Sequence, residues 1–245
     1  MPRFKLTIEY DGGPFVGWQR QDNGLGVQEV IEKAIQVFSG QEVTSHCAGR
    51  TDAGVHACGQ VAHFDLSGDW EPGRVRDALN AHIRPHPISI IAAEVVDKHF
   101  HARLSATERR YEYYILNRRS PPAIELGRVW WMPSTLDADS MANAAKILQG
   151  NHNFSSFRAA GCQAKSPVKT LDELTVIRKG DFLVVAARAR SFLYHQVRNM
   201  VGTLSWVGQG KWSKEDVMHA LEACDRTRAG PTAPAEGLFL VGVSY

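Results

Sequence analysis

Cys47–Asp65 reads CAGRTDAGVHACGQVAHFD, an arginine, a carboxylate, glycines and histidines between two apolar flanks. Val43–Ala48 and Gln60–Leu66 predict a pair of strands, and the polar residues between them a loop that the strands present. Within it, Gly49-Arg50-Thr51-Asp52-Ala53-Gly54 predicts a tight turn, because glycine at each end permits backbone angles that other residues resist. Its one acidic side chain, Asp52, stands near the apex. Chemistry concentrates on loops held by rigid elements, which makes Asp52 the candidate reactive group. An Asp beside glycine is also an ordinary turn former or helix cap, so the turn alone leaves both roles open.

Outward from this stretch, strand and helix patterns alternate. Phe4–Glu9 alternates apolar and polar residues with period two and stops at Asp11-Gly12-Gly13-Pro14, a strand. Val27–Phe38 sets Val27, Val30, Ile31, Ala34, Ile35, Val37 and Phe38 mostly on one helical face ahead of Gly40. Pro72–Ile83 predicts a second helix and Ile88–Val96 an apolar strand, so the first part runs β-α-β-β-α-β. From residue 105 that order returns with insertions. It comprises a strand over Thr107–Asn117, a helix capped by Asp137 or Ser140 and running to about Leu148, and a hairpin of Leu171–Arg178 and Phe182–Arg190 about Lys179-Gly180-Asp181. Helices over Tyr194–Val207 and Ser213–Cys224 and a strand over Leu238–Tyr245 complete it. The expectation is an α+β fold of two ferredoxin-like pseudo-repeats, 1–104 and 105–245, sharing a central, mainly antiparallel sheet with helices on one face. It rests on the order of elements, since the halves share no visible sequence identity.

Residues 118–136 and 150–170 show no regular pattern, and structureless loops of such length are functional or disordered. The second mixes Phe154 and Phe157 with Arg158, Lys165 and Lys169. Aromatics among cations suit bases and phosphates; the two phenylalanines equally suit core anchors, the role favoured for them.

The 245 residues, 44% hydrophobic and 22% charged, suit one large domain or two smaller ones. No stretch approaches the ~18 consecutive apolar residues of a membrane span, and MPRFKLTIEY lacks the pattern of a signal peptide, so a cytoplasmic location is expected. Net charge is +2, unevenly distributed: residues 101–200 hold 15 Lys and Arg against 8 Asp and Glu, or +7, and the remainder 13 against 18, or −5. A basic half in a near-neutral chain suits a polyanion-binding face, as it does a scattered basic surface.

Cys47, Cys58, Cys162 and Cys224 are too widely spaced for a disulfide framework or zinc ribbon. His46, Cys47, His56, Cys58 and His63 are all possible zinc ligands, but a strand sets His46 and Cys47 on opposite faces and no paired-cysteine or H-E-x-x-H motif occurs, so no metal is expected. His56, Cys58 and His63 are expected to serve as packing or polar scaffold around Asp52. A GxSxG elbow, a P-loop and a dinucleotide fingerprint are likewise missing.

GRTDAGVHA at Gly49–Ala57 resembles the signature of the TruA family of tRNA pseudouridine synthases. YDGGPFVGWQRQ at Tyr10–Gln21, RRYEYYILN at Arg109–Asn117, FLYHQVRNMVG at Phe192–Gly202 and APAEGLFLVGVSY at Ala233–Tyr245 agree in order and separation. The resemblance spans essentially the whole chain. It implies isomerisation of uridine to pseudouridine in the anticodon stem-loop of tRNA, at positions 38, 39 and 40, by a homodimer without cofactor. It further implies Asp52 as nucleophile or initiating base, Tyr111 as the ring stacking on the target uracil, Arg198 as the ion-pair partner of Asp52, and Arg50 in the space the flipped nucleotide vacates. Alternation along the strand leaves Tyr111 and Tyr113 equivalent, and the resemblance selects Tyr111.

Overall fold

The computed structural model describes residues 1–245 and is an α+β fold with ten strands, mostly antiparallel, and five α-helices. Its contacts divide it into two compact units, Met1–Arg109 with Phe239–Tyr245, and Arg110–Leu238. No helix is long and apolar enough to cross a membrane.

In the first unit, β1 (Arg3–Tyr10) turns Phe4, Leu6, Ile8 and Tyr10 inward, as its alternation predicts. It pairs antiparallel with β3 (His56–Asp65) and β4 (Ile88–Val96), and β10 (Leu238–Ser244) adds to β3 in parallel, giving the order β4-β1-β3-β10. Helix α1 (Val27–Ser39) ends at Gly40 in the left-handed region, and α2 (Pro72–His82) starts with proline in its first turn. Val37, placed above on the apolar face of α1, is instead 59% exposed, at the margin of the buried stripe Val27, Val30, Ile31, Ala34 and Ile35.

The strand expected over Val43–Ala48 shrinks to β2 (His46–Cys47), and α1 supplies the reason. Glu32 Oε1 accepts from Ser45 N at 2.8 Å and Gln28 Nε2 donates to Ser45 O at 3.1 Å, so helix side chains satisfy groups that a ladder would otherwise use. Conversely β3 begins four residues before the expected Gln60. His56 and Ala57 pair with Phe239 and Leu240, which lie far along the chain and leave no local pattern.

In the second unit, β5 (Glu108–Leu116), β9 (Phe182–Ala189), β8 (Val168–Lys179) and β7 (Gly150–Asn153) follow in that order across the sheet, and β6 (Trp130–Trp131) pairs parallel with the end of β5. Helices α3 (Ala138–Ala145), α4 (Gln196–Gly208) and α5 (Lys214–Glu222) complete it. Asp137 caps α3, Ser213 and Asp216 form a capping box on α5, and Gly180 turns the β8/β9 hairpin at φ 60°.

The two patternless stretches are ordered. Residues 118–136 are held by buried Asn117, whose Nδ2 donates to Met132 O at 2.9 Å and Ser134 O at 2.6 Å and whose Oδ1 accepts from Leu136 N at 3.1 Å. Residues 150–170 contain β7, paired to the start of β8, and a 3₁₀ turn over Ser155–Phe157. Phe154 and Phe157 are fully buried core anchors, and truncating such a side chain costs about 3–5 kcal/mol. Arg158 folds back on its own loop, donating from Nη2 to Cys162 O and Ala164 O.

Candidate active site

Asp52 lies in the first unit, half-buried, on the turn between β2 and β3. The turn closes on itself through Val55 N donating to Asp52 O at 3.1 Å, with Gly54 at φ 76°. A second segment clamps it from outside. Trp18 N donates to Thr51 O at 3.0 Å, Gly17 forms a bridge to Asp52, and the Tyr10 and Thr51 hydroxyls share a hydrogen bond of 2.7 Å. Gly17 sits at φ 116°, where a Cβ would come within 2.6 Å of Thr51 O, so the YDGGPFVGWQRQ stretch needs glycine there to lie against the turn. Arg50 is exposed beside this anchored apex, whereas Thr51 is buried.

The histidines of the stretch serve as scaffold. His56 is buried, accepts at Nδ1 from Gly12 N at 3.0 Å and stacks on Phe239 with ring centroids 4.5 Å apart. His63 is buried and accepts at Nδ1 from Ala102 N at 3.1 Å. Burial first, then the positive charge of Arg3 and the neighbouring His101 and His46, push His63 down to about 4 against a weaker upward pull from Asp65. Cys47 is buried and its thiol is pushed up to about 12 by burial, which keeps it protonated; Cys58 is exposed. No group of three or more His, Cys, Asp or Glu is arranged as a metal cage.

A depressed histidine value means that the unfolded chain binds the proton more readily, so His63 makes stability fall as pH drops from about 6.5 toward 4. Its contribution at pH 5 is on the order of 1–2 kcal/mol. Urea unfolding of His63→Gln, whose amide can still accept from Ala102 N, is expected to show a flatter stability profile between pH 7.5 and 5 than wild type. Parallel profiles would remove His63 as a cause.

In the second unit, β5 distinguishes two tyrosines that alternation leaves equivalent. Tyr113 is fully buried and donates its hydroxyl to Pro234 O at 2.9 Å, and burial raises its pKa well above that of an ordinary tyrosine. Tyr111 is half-buried and meets the edge of Phe192 at 5.2 Å between centroids and 90° between planes. Phe192 lies in the segment that leads into α4, where His195 takes a left-handed conformation at φ 58° and Gln196 Oε1 accepts from Leu193 N at 2.8 Å. Arg198, half-buried on the first turn of α4, donates from Nε to Ala233 O at 2.8 Å, and Ala233 N returns a bond to Arg198 O at 3.1 Å. Side chain and main chain of Arg198 are thus both tied to one residue, which presets the guanidinium.

A family model described as tRNA pseudouridine synthase matches residues 6–104 and 144–245, which include Asp52, Arg50 and Arg198. The chain belongs to the TruA family of tRNA pseudouridine synthases. Among TruA-family relatives, tRNA pseudouridine synthase A of Paramagnetospirillum magneticum is 60% identical over 245 residues, covering 100% of this chain and 96% of that protein. The proteins of the same description from Beijerinckia indica and Rhodospirillum centenum are 58% and 57% identical, covering 100% of this chain and 94% and 100% of their own lengths. This full-length likeness to TruA-family proteins takes in Tyr111, which lies between the two matched segments of the family model.

Phe192, Tyr10 and Thr51 were not singled out by reading the sequence. Each sits inside a stretch that resembles the family, yet its partner lies more than forty residues away, as Tyr10 and Thr51 are 41 apart.

Proposed function

We propose that the protein is an enzyme that isomerises uridine to pseudouridine in the anticodon stem-loop of tRNA, at positions 38, 39 and 40, with Asp52 as the reacting carboxylate. The observation that carries this reading is a carboxylate on a doubly clamped turn, in a chain 60% identical over its whole length to a tRNA pseudouridine synthase A. The C1′–N1 bond breaks, the uracil turns, and a C5–C1′ bond forms while the C5 proton leaves to solvent and N1 takes one up. Nothing is oxidised or lost, and the isomerisation calls for no cofactor. Asp52 serves it by attacking C1′ or by taking a proton from the ribose, either of which divides one hard step into easier ones. Arg198 pairs with Asp52, holding it ionised and aimed. Arg50, exposed beside the apex, fills the space left by the extruded nucleotide.

Tyr111 stacks on the uracil once it has left the helix, with Phe192 holding the ring upright. Base stacking on an aromatic contributes roughly 1–3 kcal/mol, so Tyr111→Ala is expected to slow turnover about 10- to 100-fold while Tyr111→Phe keeps the stacking. Equal rates for wild type and Tyr111→Ala would rule the platform out.

The two halves 1–104 and 105–245 are read as ferredoxin-like pseudo-repeats with a shared sheet and helices on one face, the first running β-α-β-β-α-β and the second carrying β6, β7 and α5 as insertions in that order. A homodimer in the cytoplasm is the expected form. The test of the function is release of tritium from tRNA labelled at uridine C5, which requires bond formation at that carbon. Binding of tRNA without any release would leave an RNA-binding module and end the proposal.

A further inference from the structure

Two buried side chains with no role in the chemistry above hold the root of the Asp52 turn. Arg109, at the start of β5, is 7% exposed, and its guanidinium reaches three main-chain carbonyls. Nη2 donates to Ala48 O and to Arg103 O, each at 2.7 Å, and Nη1 donates to Ala106 O at 3.2 Å. Gln60, on β3 and fully buried, donates from Nε2 to Gly49 O at 2.6 Å while its Oε1 accepts from Val61 N at 3.2 Å. Ala48 and Gly49 are consecutive, and they are the residues at which the chain leaves β2 for the turn.

At that point the sheet ladder is ending. Ala48 N still donates to Val61 O at 2.7 Å, yet the carbonyls of Ala48 and Gly49 are taken by side chains. A ladder bond would continue the strand, whereas a guanidinium and an amide donate to the chain as it departs. The planar fork of arginine suits this task, because one rigid group spans three carbonyls from two segments.

We infer that Arg109, seconded by Gln60, is a positioning residue for Asp52. It sets where the turn begins, three to four residues ahead of the carboxylate, and touches neither substrate nor reacting atoms. The inference rests on the reading of Asp52 as the reacting group. A displacement of about 1 Å of a reacting group costs about 100-fold in rate, which sets the expected effect.

The experiment measures single-turnover rate and tRNA affinity separately for Arg109→Ala and Arg109→Lys, with Asp52→Asn alongside. Arg109→Ala should lose about 100-fold in turnover with tRNA Kd within about twofold of wild type. Guanidinium ion at low, non-denaturing concentration should enter the vacated space and restore part of the rate, while urea at the same concentration should not. Arg109→Lys, which keeps the charge but spans fewer carbonyls, should fall in between, and it supplies the reading if Arg109→Ala does not fold. A wild-type turnover rate in the folded variant overturns the inference. So does a loss confined to affinity, or a folded Arg109→Ala whose loss guanidinium leaves unchanged. If Asp52→Asn stays active, the reading of Asp52 has failed; if it is inactive and the Arg109 variants turn over normally, only the positioning role has failed.

Discussion

Asp52→Asn is expected to abolish pseudouridine formation, by a factor on the order of 10⁴ or more, while tRNA binding and thermal stability stay near wild type. The amide has the shape of the carboxylate but neither attacks C1′ nor takes a proton, so any route through Asp52 stops. The fold should survive because main-chain groups clamp the turn: Trp18 N to Thr51 O, Val55 N to Asp52 O, and the bridge from Gly17. The Tyr10 to Thr51 hydroxyl bond is also independent of the substitution. Tritium release and filter binding on the same preparation separate the two effects. Normal release by the variant would return Asp52 to the role of turn former.

The second large effect is expected at Arg198. On the proposed pairing with Asp52, Arg198→Met takes away the charge that holds the carboxylate ionised and aimed, and should lower single-turnover rate about 100- to 1000-fold. Lysine should not restore it. Nε is engaged by Ala233 O, and the planar group it orients has no counterpart in an ammonium on a flexible stem. The rival role for Arg198, a phosphate contact, makes a different prediction. It would weaken tRNA binding, reduce the slope of log affinity against log salt by about 1, and leave turnover of bound tRNA unchanged. That pattern would refute the pairing with Asp52.

Much of the fold was legible locally because local physics made it. The caps at Gly40, Asp137 and Ser213 and the glycine turn at Gly180 are each satisfied by neighbours within a few residues, and the alternation of β1 follows from strand geometry, which turns successive side chains to opposite faces. What went astray involved distant partners. Val43–Ser45 carries strand-like residues but is held by Glu32 and Gln28 of α1, and β3 gains its first residues from a strand near residue 240. Residues 118–136 show no pattern because a buried asparagine and the two-residue strand β6, not a repeating motif, secure them. Periodicity reports which face of an element is apolar; it is blind to a polar side chain that reaches across the fold.

The candidate site divides in the same way. The glycine-bounded turn makes Asp52 the candidate, motif resemblance adds Arg50, Tyr111 and Arg198, and alternation does not choose between Tyr111 and Tyr113. Burial separates them: Tyr113 is enclosed and bonded to Pro234 O, whereas Tyr111 stands half-buried against Phe192. The glycine-bounded turn and the carboxylate at its apex are legible in the chain alone, since they depend on backbone freedom and on contacts a few residues apart. What holds that turn exists only in the folded chain. Tyr10, Gly17, Trp18, Gln60 and Arg109 come to it from separate segments, and each is committed to it by a hydrogen bond or a close approach that exists only once the chain has folded.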